Sequence, residues 1–536
     1  MKFTNLLDVW GGGQLLAFSG VDGRTDYDSG LVLRTRFEGT GMDVKLPGRC
    51  ELIFNDGAPA KVLLAGDFFN LTHAGGRTRG AFVDAHHLLI EGPCQVGDCD
   101  DQAVRTSKRG PLTLVGSAAG FDEAHLDADL DKVTIARQQF LASFELPRGL
   151  SPLRRRTLAK ALSQMKTQVC TREGQIKRRW TTPDRWPHRS MWLWDSAFHA
   201  IGWRLVDAGV ARDAIQAVLD GEKEDGFLPH MHGPDGSSEI TQPPVLTLAT
   251  VLVDQIHRDE KWLKRAYPKL AGYVDWDLAN RDVDGAGLVE WLTRDDPNSR
   301  CDESGMDNCS RFAAGERMDA VDFNSFVALE CELLSVLAAE LGKEIQADQW
   351  ARRHAELCRL INERLWDERR GLYVDCVAET GEKAGILSGA GFLPLLCGAA
   401  SEAQADRLGD HVYDENTFGT PLPIPTVAAC ETEHYDKDMW RGPVWINLNW
   451  LVARGFDRYG MGDVADHIRE KTTDEIERRY EEYGTFFEFY DDRREVPPPQ
   501  LKRKGKLAPE QSPFHQVFFD YGWSATLYVD MVIEQD

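Results

Sequence analysis

Residues Asp302-Glu303-Ser304-Gly305-Met306-Asp307-Asn308-Cys309-Ser310-Arg311 gather carboxylates into one short stretch broken by a Ser-Gly pair. Ser-Gly holds a helix poorly, so the stretch reads as a loop that presents its acidic groups. About 180 residues downstream, Gly484-Thr485-Phe486-Phe487-Glu488-Phe489-Tyr490-Asp491 sets a second carboxylate among aromatic rings. Two carboxylates from distant loops in aromatic surroundings suit glycosidic-bond hydrolysis, in which one protonates the leaving oxygen and the other activates water. One carboxylate from each of these two loops is therefore the candidate pair. Cys309 has no evident base beside it and is not the expected nucleophile.

Other loop residues could hold a sugar. Fourteen of the fifteen tryptophans follow residue 179. Helical cores seldom need so many, because each indole N–H wants a partner, whereas flat rings match the C–H faces of sugars. Trp192, Trp194, Trp291, Trp440 and Trp445 each sit beside polar or charged loop residues. In Met191-Trp192-Leu193-Trp194-Asp195-Ser196, Asp195 either caps a helix or accepts sugar hydroxyls while Trp192 or Trp194 stacks on a ring. Gly226-Phe227-Leu228-Pro229-His230-Met231-His232 and Thr241-Gln242-Pro243-Pro244 fall at helix-joining positions. His230 and His232 alone make a weak metal pair, so no metal and no cofactor is expected. Arg441, ahead of Pro443, reads as part of a helix opening that orients a polyhydroxy ligand or forms a structural ion pair.

These loops need elements to position them. Up to about residue 148, short β-branched runs such as 31–37, 61–65 and 133–137 alternate with turns such as Asn55-Asp56-Gly57, the pattern of an antiparallel β-sandwich. Residues 146–152 read as a linker. Beyond it, apolar residues at three- and four-residue spacing predict helices over 153–170, 196–219, 245–279, 319–341, 345–365, 441–457 and 520–535, with Ser196 and Thr473 as caps. Similar Asp/Gly-rich turns recur at 282–288 and 366–373, which suggests stacked helical hairpins. The expected domains are a β-sandwich over 1–148 and a mainly α catalytic unit over 149–536. Asp319, Asp322 and Asn324 read as helix-opening residues, and Asp282 and Asp284 as a structural turn rather than a calcium loop.

The formal net charge of −24 argues against nucleic acid or an anionic membrane as partner. The first eight residues are too short in apolar run for a signal peptide, and no stretch approaches a membrane span. Eleven cysteines, odd in number and without a Cys-x-x-Cys pair, suit free thiols in the cytoplasm without disulfides. The oligomeric state is left open.

Taken in order, Trp-Leu-Trp-Asp, Gly-Phe-Leu-Pro-His, Gln-Pro-Pro, Glu-Ser-Gly-x-Asp, Trp-Arg-Gly-Pro-x-Trp and Phe-x-Glu-x-Tyr resemble glycoside hydrolase family 63 between about Arg178 and Trp523. Its relatives include mannosylglycerate and glucosylglycerate hydrolases and, more distantly, trehalases. The resemblance implies an (α/α)6 barrel and an inverting mechanism, with Asp307 as general acid and Glu488 as general base. It implies a raised pKa for Asp307 among apolar groups. It also implies sugar-binding roles for Asp195, Gln242, Trp440 and Arg441, places His230 in the matched motifs, and sets Trp523 in the pocket wall. The substrate implied is a small carbohydrate with a terminal α-glucosyl or α-mannosyl unit. The loop after the base, with its Pro-rich run and Lys502-Arg503-Lys504-Gly505-Lys506, departs from relatives. That basic run could meet an anionic leaving group such as glycerate, but a solvated, mobile loop is the stronger expectation. A phosphorylase needs no base, and a non-catalytic sugar binder needs neither carboxylate; retention of both residues disfavours these readings.

Overall fold

The computed structural model describes residues 3–534. Met1 and Lys2, within the segment weighed as a leader, and Gln535, within the last expected helix, lie outside that range. Eleven strands make two antiparallel sheets in the N-terminal region. One sheet runs β1 (Leu15–Ala17), β2 (Val32–Thr35), β3 (Thr40–Leu46), β4 (Cys50–Asn55) and β9 (Gln95–Cys99). The other runs β10 (Val104–Arg109), β11 (Leu112–Ser117), β8 (His87–Glu91), β7 (Gly76–Phe82), β6 (Phe68–His73) and β5 (Lys61–Leu64). Alternate residues of β4 turn inward, and Leu52 and Phe54 share a core with Phe69, Leu71 and Ile90 of the opposite sheet.

Two expectations fail here. Cys50 and Cys99 are registered neighbours on β4 and β9 and form a disulfide; the other nine cysteines are free. Sequence spacing could not reveal a pair brought together only by sheet order. Residues 133–137, read as a strand, lie in helix α1 (Leu130–Ser143). There the Asp129 side chain caps the helix by accepting from the N–H groups of Asp131 and Lys132, and Leu130, Arg137 and Leu141 form the buried stripe. Local cap and packing outweigh β-branched propensity.

Eleven further α-helices follow: α2 (Pro152–Thr167), α3 (Leu193–Trp203), α4 (Ala208–Leu219), α5 (Leu246–Ile256), α6 (Glu260–Asn280), α7 (Val321–Glu340), α8 (Glu344–Leu360), α9 (Glu402–Tyr413), α10 (Ile446–Arg458), α11 (Gly462–Tyr483) and α12 (Gly522–Ile533). The long helices expected over 196–219 and 245–279 each divide in two, because Asp207 and Asp259 cap new starts. Ser196 and Thr473 are not caps; each lies inside a helix and donates to a carbonyl one turn back. Helix α10 begins at Ile446, so Arg441 sits in the loop before it. Helix α3 packs on α5, α5 on α7, α7 and α10 on the short turn Gly389–Leu395, α10 on α12, and α12 on α3. The loops at one end of this set carry the candidate site. No helix among the described residues is long and apolar enough to cross a membrane.

Candidate active site

Trp192, Trp194, Asp195, Gln242, Asp307, Trp440, Glu488 and Trp523 line one cavity. Its remaining walls include His188, Trp445, Arg503 and Tyr521. Arg441 is absent from the lining. His230 also stands outside the lining, with Nδ1 2.5 Å from Ser238 Oγ. Burial lowers its pKa to about 4, with Asp307 the largest opposing charge.

The acid loop is held by buried ionic and polar anchors. Arg311 is fully buried, donates to both Asp375 oxygens at 2.8 Å and pairs with Asp322. Asp322, expected as a helix-opening residue, is thus part of a buried ion-pair cluster. Asn324 bonds Val289 at both backbone groups, and Asp319 meets Arg364 at 2.8 Å. Asn308, beside the acid, donates to Asp438 and accepts the Trp440 N–H at 2.9 Å. Gly305 has φ +69°, and a Cβ there would lie 2.3 Å from the Trp194 ring, so only glycine lets the loop pass this close. Cys309 is buried, and burial raises its thiol pKa, which removes it as a nucleophile.

Glu488 lies on an extended segment. Glu488 N–H donates to the Phe518 carbonyl, and Val444 and Tyr490 exchange backbone bonds on its other side. Its carboxylate is clamped by Arg503, with Nε to Oε2 at 2.8 Å and Nη2 to Oε1 at 3.1 Å. Burial raises the Glu488 pKa, and Arg503 opposes that rise. Asp307 is paired with Lys504 Nζ at 2.7 Å rather than set among apolar groups alone. The basic run expected as a solvated loop is therefore inserted beside both carboxylates. That correction follows from charge: a buried carboxylate is costly without a cation.

The cavity walls are largely aromatic. Trp440 stacks on Trp445 at 3.7 Å and 5°, and Trp523 meets Trp194 edge-on at 5.2 Å. The buried indole N–H groups of Trp440 and Trp523 have no partner among the described residues, leaving two donors at the cavity. Asp195 is not the helix cap; Trp192 holds that position. Burial raises the Asp195 carboxyl well above the usual range, and the Tyr521 hydroxyl donates to it at 3.4 Å. Gln242 accepts the Trp194 N–H at 3.2 Å. Trp291 is elsewhere: it stacks on Phe323 at 3.7 Å and donates to Asp322.

Sequence reading missed His188, Tyr521, Arg503 and Lys504 as site groups. His188 lies in Trp186-Pro187-His188-Arg189, with Asp184 3.2 Å from Nδ1 and the ring edge-on to Trp192 and Phe518. The available signal for Arg503 and Lys504 was a basic run in an acidic chain.

The sandwich also braces the site. Arg34 on β2 donates to the carbonyls of Gly13, Phe519, Asp184 and Trp186, and Gln14 donates to Gly484 at 2.6 Å. The Asn70–Gly76 hairpin, conjectured to reach the rim, supplies no lining residue. One set of metal-type side chains, Asp84, His87 and His125, has its ligand atoms close together among the described residues. His87 Nε2 accepts the Asp122 N–H, so Nδ1 carries the proton toward Asp84 and offers no lone pair. That set is a hydrogen-bonded cluster away from the cavity.

Two carboxylates on a small aromatic cavity are an arrangement that suits glycosidic-bond hydrolysis. Residues 187–496, more than half of the chain, match the family described as the mannosylglycerate hydrolase MGH1-like glycoside hydrolase domain, and the chain belongs to that family. It is 28% identical over 400 residues to a mannosylglycerate hydrolase of Thermus thermophilus, covering 58% of this chain and 91% of the relative. It is 24% identical over 411 residues to the glucosylglycerate hydrolase of Mycolicibacterium hassiacum, covering 58% and 87%. A solved family 63 mannosylglycerate hydrolase, from another strain of Thermus thermophilus and in complex with glucose, aligns with TM-score 0.56 and 26% identity over 70% of this chain and 99% of that one.

Proposed function

We propose that the chain is an inverting hydrolase that removes a terminal α-glucosyl or α-mannosyl unit from a small glycoside, the glycerate glycosides named for its relatives being the leading class. Asp307 protonates the leaving oxygen, and Glu488 activates water from the opposite face of the sugar. The observation that carries this is the single cavity onto which both carboxylates open. The burial-raised pKa of Glu488 strengthens it as a base. Asp195, Gln242, Trp192, Trp194, Trp440 and Trp523 hold the sugar; His230 and Arg441, outside the cavity lining, complete the proposed binding set. The run of helix neighbours from α3 through α5, α7, α10 and α12 back to α3 supports the (α/α)6 barrel. Division into a sandwich unit over 1–148 and a catalytic unit over 149–536 is supported by the two large sheets, whose last strand ends at Ser117, and by α1, which packs on β7 and α2. Nine free cysteines support a cytoplasmic setting, although the Cys50–Cys99 bridge removes one pair from that reasoning.

Separate Asp307→Asn and Glu488→Gln variants test the roles. Each is expected to lower kcat on an α-glycosylglycerate by about 10²–10⁴-fold while the protein stays folded. Wild-type turnover in both variants would refute the assignment.

A further inference from the structure

Neighbouring cations of one loop hold both candidate carboxylates at once. Lys504 Nζ lies 2.7 Å from Asp307 and 3.6 Å from Asp302, while Arg503 takes both oxygens of Glu488. The loop is pinned on both sides of the pair. Lys502 N–H donates to the Lys437 carbonyl, and Gly505 N–H donates to Asp438, the residue that also accepts from Asn308 beside the acid. Both cations lie beyond residue 496, where the family match ends.

The two cations are held differently. Arg503 is tied to Glu488, to the Phe514 carbonyl and over the Phe518 ring at 4.2 Å, so it is a fixed part of the wall. Lys504 is a point charge on a flexible stem whose contacts are to carboxylates alone, and its backbone sits at φ +52°. In this state the cavity measures about 80 Å³, room for roughly five to seven waters at one probe sphere each. Pockets for small molecules begin near roughly 300 Å³. A glycoside cannot enter until something moves.

We propose that Lys504 is a specificity-determining residue, which turns from Asp307 to an anionic group on the leaving side of the glycoside. The inference rests on the hydrolase reading above and names a residue that sets the specificity of that same site. Exchange of one carboxylate for another keeps the cation paired. A neutral leaving group offers no such exchange, so Lys504 stays paired with Asp307 and Asp302. Anionic glycosides are thereby selected.

The test compares kcat/KM for an α-glycosylglycerate and for the matching α-glycosylglycerol, which has the same shape without the carboxylate. Wild type should prefer the anionic substrate by about 100-fold, or about 2.7 kcal/mol. Lys504→Met should bring the two within a few-fold, mainly by losing the anionic substrate, and Lys504→Arg should keep most of the preference. Thermal unfolding checks that each variant is folded. A folded Lys504→Met enzyme with the wild-type ratio, or a wild type that favours the neutral glycoside, overturns the inference alone. A wild type that hydrolyses neither overturns the hydrolase reading and this inference with it.

Discussion

Glu488 is buried among aromatic rings with one cation against it, and opposing effects set its protonation. Burial raises its pKa, Arg503 and His188 lower it, and Asp184 adds a small rise. A base must be ionised, so activity should fall as pH drops through this raised value. Arg503→Met removes the largest opposing charge and should move the acidic limb of the kcat/KM profile to higher pH; a limb that stays or falls would show that Arg503 does not tune the base. The carboxylates themselves were legible in the sequence, because acidic residues in a Ser-Gly loop and in an aromatic run have few structural uses. Lys504 and Arg503 were not. A run of basic residues has the same composition whether it is solvated or inserted, and only the positions of Asp307 and Glu488 decide between them.

Elements hold these side chains in register. The Asp307 loop between α6 and α7 is built of short 3-10 turns at Asp302–Ser304 and Ser310–Ala313, and Arg311 with Asp322 and Asp375 anchors it. Removing one member of such a buried cluster costs about 3–5 kcal/mol. Arg311→Met should therefore lower stability to urea by that amount and reduce kcat as the loop loosens; a change below about 1 kcal/mol would mean the cluster is not an anchor. Most of the helices were readable from apolar spacing, but α9 and α11 were not among those expected, and α3 and α12 are buried nearly all round. Their breaks at Asp207 and Asp259 were obscured because apolar spacing continues across both junctions. Helix α1 was misread because Val133, Thr134 and Ile135 favour strands locally, while the Asp129 cap and the contacts to β7 favour a helix.

At the scale of the whole molecule, the sandwich is a brace for the catalytic loops. Asp520 joins three parts: it accepts the Leu15 N–H of β1 at 2.5 Å and the Thr485 hydroxyl at 3.0 Å, and pairs with Lys160 of α2 at 2.8 Å. Arg34 spans the same seam through four carbonyls. Arg34→Met, a residue outside the cavity, should lower kcat/KM by on the order of tenfold to a hundredfold through misplacement of the base segment; unchanged kinetics would show that the seam is only structural. This seam could not be read from the sequence, because its bonds between the sandwich and the later chain join residues 150 to 505 positions apart. Asp307 and Glu488 are likewise remote in the chain, and the account depends on their acting across one sugar ring. Proton NMR of the sugar first released from an α-glycosylglycerate tests that most directly. The β-anomer should appear before mutarotation, as inversion requires; initial release of the α-anomer would contradict the account.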